Sequence, residues 1–190
     1  MTQAQSLRTL AEASRQAQQA GTAVNVSLSC AFGCPMEGEV PAATVLDWTR
    51  QFADLGVQRL TLCDTTGMAD PGQVLALCSA VQAAHPGLEF TAHFHDTRSL
   101  GGANVFAALQ AGITRFDASL GGIGGCPYAP GASGNVAPED VVHLLTCLGF
   151  ECGLTVAGLA GASAQLSALL GRELIPYATR RHAWPAMTST

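Results

Sequence analysis

Charged side chains are scarce in this chain, at 12% of 190 residues, while hydrophobic residues reach 48%. That balance excludes disorder as the main state. No cluster of basic residues precedes the short Arg180-Arg181 pair, and the formal net charge is −5. A nucleic-acid partner is therefore not expected. No apolar run is long enough for a membrane span, because the most apolar long window, Leu154 to Leu170, is broken by Gly158, Gly161, Ser163, Gln165 and Ser167. The 21 glycines follow no period, which excludes collagen-like and repeat architectures. No Cys-x-x-Cys pair occurs among the seven cysteines, so a zinc ribbon is not indicated. Their odd number, with no secretory hydrophobic segment before them, argues against a disulfide scaffold and for a reducing compartment.

Residues 1–20, with Arg8, Arg15, several serines and a lone Glu12, have the composition of a transit peptide. They also read as a surface helix with Leu7, Leu10, Ala11, Ala13 and Ala17 on its apolar side, and the helix is the expectation. Beyond it, strand-like and helix-like patterns alternate. Strands are expected over Val24–Leu28, Val57–Cys63, Leu88–His95 and Ile113–Ser119. Helices are expected over Ala42–Leu55, from Asp70-Pro71 to about His85, and over Ala103–Ala111, Pro138–Leu148 and Val156–Leu170. Strand starts near residues 24, 58, 88 and 113 are spaced as strand, crossover helix and two loops, which implies a parallel sheet. Both a doubly wound open sheet and part of a (β/α)8 barrel fit that alternation. A whole barrel takes about 250 residues, and no nucleotide-type glycine fingerprint follows the first strand.

The chemistry collects at the carboxyl ends of these strands. The third strand ends His93-Phe94-His95-Asp96. Residues two apart share a strand face, so the two imidazoles project together as half of a metal site. The fourth strand leads into Gly121-Gly122-Ile123-Gly124-Gly125-Cys126-Pro127 and then Gly131-Ala132-Ser133-Gly134-Asn135. Such a loop brings backbone close to a ligand and closes over it. Cys126 is a loop thiol, inert or reactive on its own merits. Asn135 offers either turn chemistry or a carbonyl oxygen for a hard metal. Asp64 closes the second strand as a rim carboxylate or a turn-initiating residue. Glu37 and Glu39 read as solvated, Glu139 as a helix-dipole partner, and Cys147 and Cys152 as helix-packing thiols.

Taken together, Ser29 to Gly38 (Ser-Cys-Ala-Phe-Gly-Cys-Pro-Met-Glu-Gly), Asp64-Thr65-Thr66-Gly67, His93 to Thr97 and the Gly121–Asn135 loop resemble the 3-hydroxy-3-methylglutaryl-CoA lyases. The likeness runs from about Leu7 to about Leu170. The paired histidines alone are shared with a wider superfamily of metal-dependent barrel lyases and synthases, and the long glycine loop points to the lyase branch. The resemblance implies a (β/α)8 barrel that cleaves 3-hydroxy-3-methylglutaryl-CoA to acetyl-CoA and acetoacetate with Mg²⁺ or Mn²⁺. It implies His93, His95 and Asn135 as metal ligands, Cys126 as the catalytic-loop cysteine and Asp64 as a rim residue important for activity. It also implies an acyl-CoA substrate, and a location in the bacterial cytoplasm or, in a eukaryote, the mitochondrial matrix.

The sequence departs from the family at Ser99 and Gly102, where members usually carry Gly and a larger apolar residue. The family's first four βα units, with an Arg-Asp pair on the first strand, have no counterpart. The expected fold is thus α/β, the C-terminal half of a (β/α)8 barrel. A helix over 1–22 leads into four βα units over 23–150, a C-terminal helix over 151–175 and a tail over 176–190. Other readings are an aldolase or Claisen synthase using 2-oxo acids, and a non-catalytic half-barrel that self-associates or pairs with a separate N-terminal half.

Overall fold

The computed structural model describes residues 3–125, 134–174 and 176–180. Among them, helix α1 (Gln3–Gln19) leads into β1 (Asn25–Leu28), α2 (Ala42–Asp54), β2 (Arg59–Asp64), α3 (Pro71–Ala84) and β3 (Glu89–Phe94). The chain continues through α4 (Gly101–Gln110), β4 (Arg115–Asp117), a 3₁₀ turn at Leu120–Gly122, α5 (Pro138–Cys147) and α6 (Val156–Leu170), with a last 3₁₀ turn at Tyr177–Thr179. Local chemistry sets several boundaries. Asp70 caps α3 by accepting the Gln73 N–H at 3.0 Å, with Pro71 in the first turn. Thr155 caps α6 by accepting the Gly158 N–H at 3.1 Å, and Gly171 ends that helix in the left-handed conformation. Residues 3–19 form the expected surface helix.

The four strands are parallel and lie in chain order, β1-β2-β3-β4. A doubly wound sheet reverses its strand order at a switch point; this one advances in a single direction, as a barrel wall does. The fold is a partial barrel, as the sequence predicts. Every crossover helix therefore falls on one face. On that face Leu60, Leu62, Ala92 and Phe94 pack with Val45, Phe52, Val74, Leu77, Val81 and Val105, all buried. Phe94 meets Phe32 in a tilted ring contact at 5.7 Å. The opposite face carries Asn25, Arg59, Thr61, Glu89, Thr91, His93 and Arg115, by strand alternation and register. It is a polar wall.

Some expectations change in detail. β4 is three residues long rather than seven, because it pairs with β3 alone and the chain then turns so that the Ser119 N–H reaches the Val136 carbonyl at 3.2 Å. α4 begins at Gly101, two residues early. Cys147 and Cys152 are exposed, not packed, because α5 ends at Cys147 and its buried side lies in its first two turns, at Glu139, Val141 and Val142. Ser99 adopts φ +57°, the left-handed conformation that the family's usual glycine takes without strain. Cys126 and the tail residues 181–190 lie outside the described residues.

Candidate active site

Register places the site. Cys63, His93 and Asp117 stand side by side across β2, β3 and β4, at the carboxyl ends of the strands on the polar face. His95 falls one residue past β3. There the chain returning from the glycine loop is stitched to it: the Asp96 N–H donates to the Gly134 carbonyl at 2.9 Å and the Val136 N–H to the Phe94 carbonyl at 3.1 Å. These two bonds set Asn135 directly opposite His95 in an antiparallel bridge. The His93 and His95 rings lie 5.3 Å apart, tilted by 58°.

The Asn135 carboxamide is held from one end. Its Nδ2 donates to the Ile123 carbonyl at 2.8 Å and to the Ser119 Oγ at 3.2 Å. Among the described residues its Oδ1 is shielded from solvent and has no hydrogen-bond partner, and the same is true of His95 Nδ1. An unpaired buried polar atom costs about 1–3 kcal/mol, so two of them on directly opposed residues mark a place built to receive something else. Burial and the neighbouring His93 lower the pKa of His95 below the ordinary imidazole value. That favours the neutral ring a metal needs. An amide oxygen and imidazole nitrogens are donors of the kind that hold a divalent cation.

Asp64 is almost wholly buried. Its Oδ1 accepts from the Met68 N–H at 2.7 Å and the Ala69 N–H at 3.2 Å, which shapes the turn after β2, while Oδ2 has no partner among the described residues. Burial raises its pKa, opposed by those N–H bonds and by Arg98. Arg98 in turn donates to the Gly67 carbonyl at 2.5 Å and fixes the same turn. Asp64 is paired with Phe94, not with His93. Among the described residues, no three His, Cys, Asp or Glu side chains come close enough to hold a metal. The site brings together His93, His95 and Asn135, and Asp64 stands at the rim without joining them.

Two residues emerge that sequence reasoning undervalued. Asp117 is register neighbour to His93; the strand parity that singles out His93 also reaches it once the register is known. The sequence marks Glu139 as a dipole partner, and in the structure it is fully buried. Both its carboxylate oxygens accept the Gly121 N–H, at 3.2 and 3.3 Å, and one also accepts the Ser163 hydroxyl. Glu37 and Glu39 are exposed, as expected.

Parallel βα units advancing one way, with polar groups gathered where the strands end, define part of a barrel wall, and barrels of this kind carry their chemistry at the carboxyl rim. The comparison with known proteins narrows this. The family model described as HMGL-like matches residues 1–165, and the chain belongs to that family, whose characterised relatives are carbon–carbon lyases. The (R)-citramalyl-CoA lyase of Chloroflexus aurantiacus is 49% identical over 154 residues, covering 81% of this chain and 49% of that protein. The hydroxymethylglutaryl-CoA lyase YngG of Bacillus subtilis is 40% identical over 170 residues, covering 90% of this chain and 57% of that protein. Among solved structures, the HMG-CoA lyase of Acinetobacter baumannii in complex with coenzyme A and 3-methylmalate superimposes with a TM-score of 0.88 at 38% identity. That match covers 100% of this chain and 62% of that one. The chain thus spans about half the length of the curated relatives it matches. The HMGL-like family is generally dependent on a divalent metal.

Proposed function

We propose that the chain is the metal-binding half of an acyl-CoA lyase that cleaves 3-hydroxy-3-methylglutaryl-CoA to acetyl-CoA and acetoacetate. The observation that carries this reading is the unpaired, buried Asn135 Oδ1 fixed opposite the unpaired His95 Nδ1. His93, His95 and Asn135 would hold a divalent cation, Mg²⁺ or Mn²⁺, which when bound lowers the pKa of a coordinated hydroxyl. The C3 hydroxyl loses its proton, the C2–C3 bond breaks, and C3 becomes the ketone carbon of acetoacetate. The bonding pair passes to C2 as the thioester enolate, and a proton delivered to C2 gives acetyl-CoA. We assign Asp64, at the rim of the site, to the relay that carries the hydroxyl proton away: burial raises its proton affinity and Oδ2 has no hydrogen-bond partner among the described residues. We assign Cys126 to delivering the proton to C2. A reducing compartment, the bacterial cytoplasm or the mitochondrial matrix, suits the free thiols.

A second reading takes (R)-citramalyl-CoA as the substrate, and the 49% identity to the Chloroflexus lyase favours it. The two thioesters share the tertiary C3 carbinol and differ by one methylene between C3 and the carboxylate, so the same bond breaks and pyruvate replaces acetoacetate. Both are tested by giving each thioester and Mg²⁺ to the chain alone and to the chain mixed with the amino-terminal half of the B. subtilis relative. Little turnover is expected alone, and acetoacetate from the mixture. Pyruvate as the dominant product shifts the assignment to citramalyl-CoA. A mixture that forms a stable complex yet releases acetyl-CoA from neither thioester overturns both.

A further inference from the structure

Glu139 is a fully buried carboxylate in the first turn of α5, with no ion pair among the described residues. Burying a carboxylate without a counter-ion is costly unless hydrogen bonds compensate it. Here they converge on one turn. The carboxylate takes the Gly121 N–H from one side and the Ser163 hydroxyl of α6 from the other. Gly121 itself sits at φ +62°, and a Cβ added there would meet the Leu174 Cβ at 2.7 Å. Leu174 is tied by its N–H to the Ser167 Oγ at 3.0 Å. Ser163 and Ser167 are one helical turn apart on the same side of α6. The glycine turn is therefore gripped by Glu139 and by the chain that α6 anchors.

What the grip controls lies two residues on. The Ile123 carbonyl and the Ser119 Oγ, which flank the gripped Gly121, are the two acceptors that fix the Asn135 carboxamide. The Ser119 carbonyl takes the Gly122 N–H at 2.8 Å, which ties Ser119 and the residues up to Ile123 into one short turn.

We propose that Glu139 is a positioning residue: with Ser163 it clamps the 120–123 turn and so aims the Asn135 carboxamide oxygen at the imidazole pair, making α6 a brace for the site. The clamp rests on the proposed metal reading only for what Asn135 Oδ1 would ligate. The test is hydrogen exchange, read by NMR at the Gly121 N–H and the Asn135 side-chain amide, in the chain and its Glu139→Ala, Glu139→Gln and Ser163→Ala variants. Val141→Ala, a buried change on the same helix outside the clamp, is the control. Glu139→Ala and Ser163→Ala should each speed exchange at both groups by at least about tenfold. Glu139→Gln, which keeps an acceptor in place, should recover most of the protection. Val141→Ala should lower the melting temperature without singling out these two groups. Unchanged exchange at Asn135 in Ser163→Ala, or equal acceleration by Val141→Ala, overturns the clamp. If Glu139→Ala does not fold, Ser163→Ala and Glu139→Gln carry the decision. A parallel Mn²⁺ titration that fails to broaden the His95 and Asn135 signals of the unmodified chain would sink the metal reading while leaving the exchange comparison to judge the clamp.

Discussion

Asp64 shows how one residue's surroundings set its behaviour. A carboxylate at the end of β2 loses most of its hydration and regains two backbone N–H bonds on Oδ1, leaving Oδ2 with none. Burial dominates, so its pKa in the folded chain lies above the ordinary carboxylate value. The sign follows from linkage. Between the unfolded and the raised folded pKa the native state binds the extra proton, so this group's contribution is fully present below the unfolded pKa. It is lost as pH rises through the folded value. Asp64→Asn removes the charge and keeps the Oδ1 acceptor. At pH 7 it should raise the melting temperature, because the buried charge is gone. The gain should shrink as pH falls toward 4. Thermal denaturation of both proteins across that range checks it, and a gain that grows on acidification would contradict the assignment. The same substitution should abolish lyase turnover in the reconstituted assay.

At the level of elements, α4 separates two glycines that look alike in the sequence. A methyl at Gly101 would run into Val136 Cγ1 and come within 2.9 Å of Asp96 Oδ1, which already accepts the Gly101 N–H at 2.8 Å. Gly102, next along, has nothing within 4 Å of an added Cβ. Gly102→Ala should therefore stabilise by up to about 1 kcal/mol through helix propensity, and Gly101→Ala should cost about 1–3 kcal/mol through overpacking. Urea denaturation of the two variants reads the opposite signs directly. The sequence marks Gly102 as a mild departure from the family but is silent about Gly101, because Val136 reaches it only through the stitching of 134–136 onto β3. The same divide runs through the site. Strand periodicity, turn residues and helix caps made the βα order and the His93/His95 face legible without coordinates. The pairing of Asn135 with His95 was reached only by resemblance, since it depends on contacts across a long loop. The burial of Glu139 was not reached at all, because its partners Gly121 and Ser163 lie 18 and 24 residues away.

For the molecule as a whole, the polar wall is what matters. Glu89 bridges Arg59 at 2.7 Å and Arg115 at 3.0 Å, across the three central and edge strands, with all three side chains 43–51% exposed. Ion pairs so exposed contribute about 0–1 kcal/mol, because water screens them and holding long side chains costs entropy. Glu89→Gln should thus shift the melting temperature of this chain alone by no more than about 4 °C, with the shift fading at high salt. The same three residues sit on the face that a closed barrel turns inward. If a complementary half covers that wall, the triplet loses its water, and Glu89→Gln leaves two guanidinium groups buried against each other. Removing one partner of a buried pair costs about 3–5 kcal/mol, which is a loss of more than a hundredfold in affinity for the covering half. Calorimetry of the chain against the amino-terminal half of the B. subtilis relative measures that loss. Near-wild-type affinity for the variant would mean that the wall stays wet in the complex, and that the halves do not close over it as one barrel.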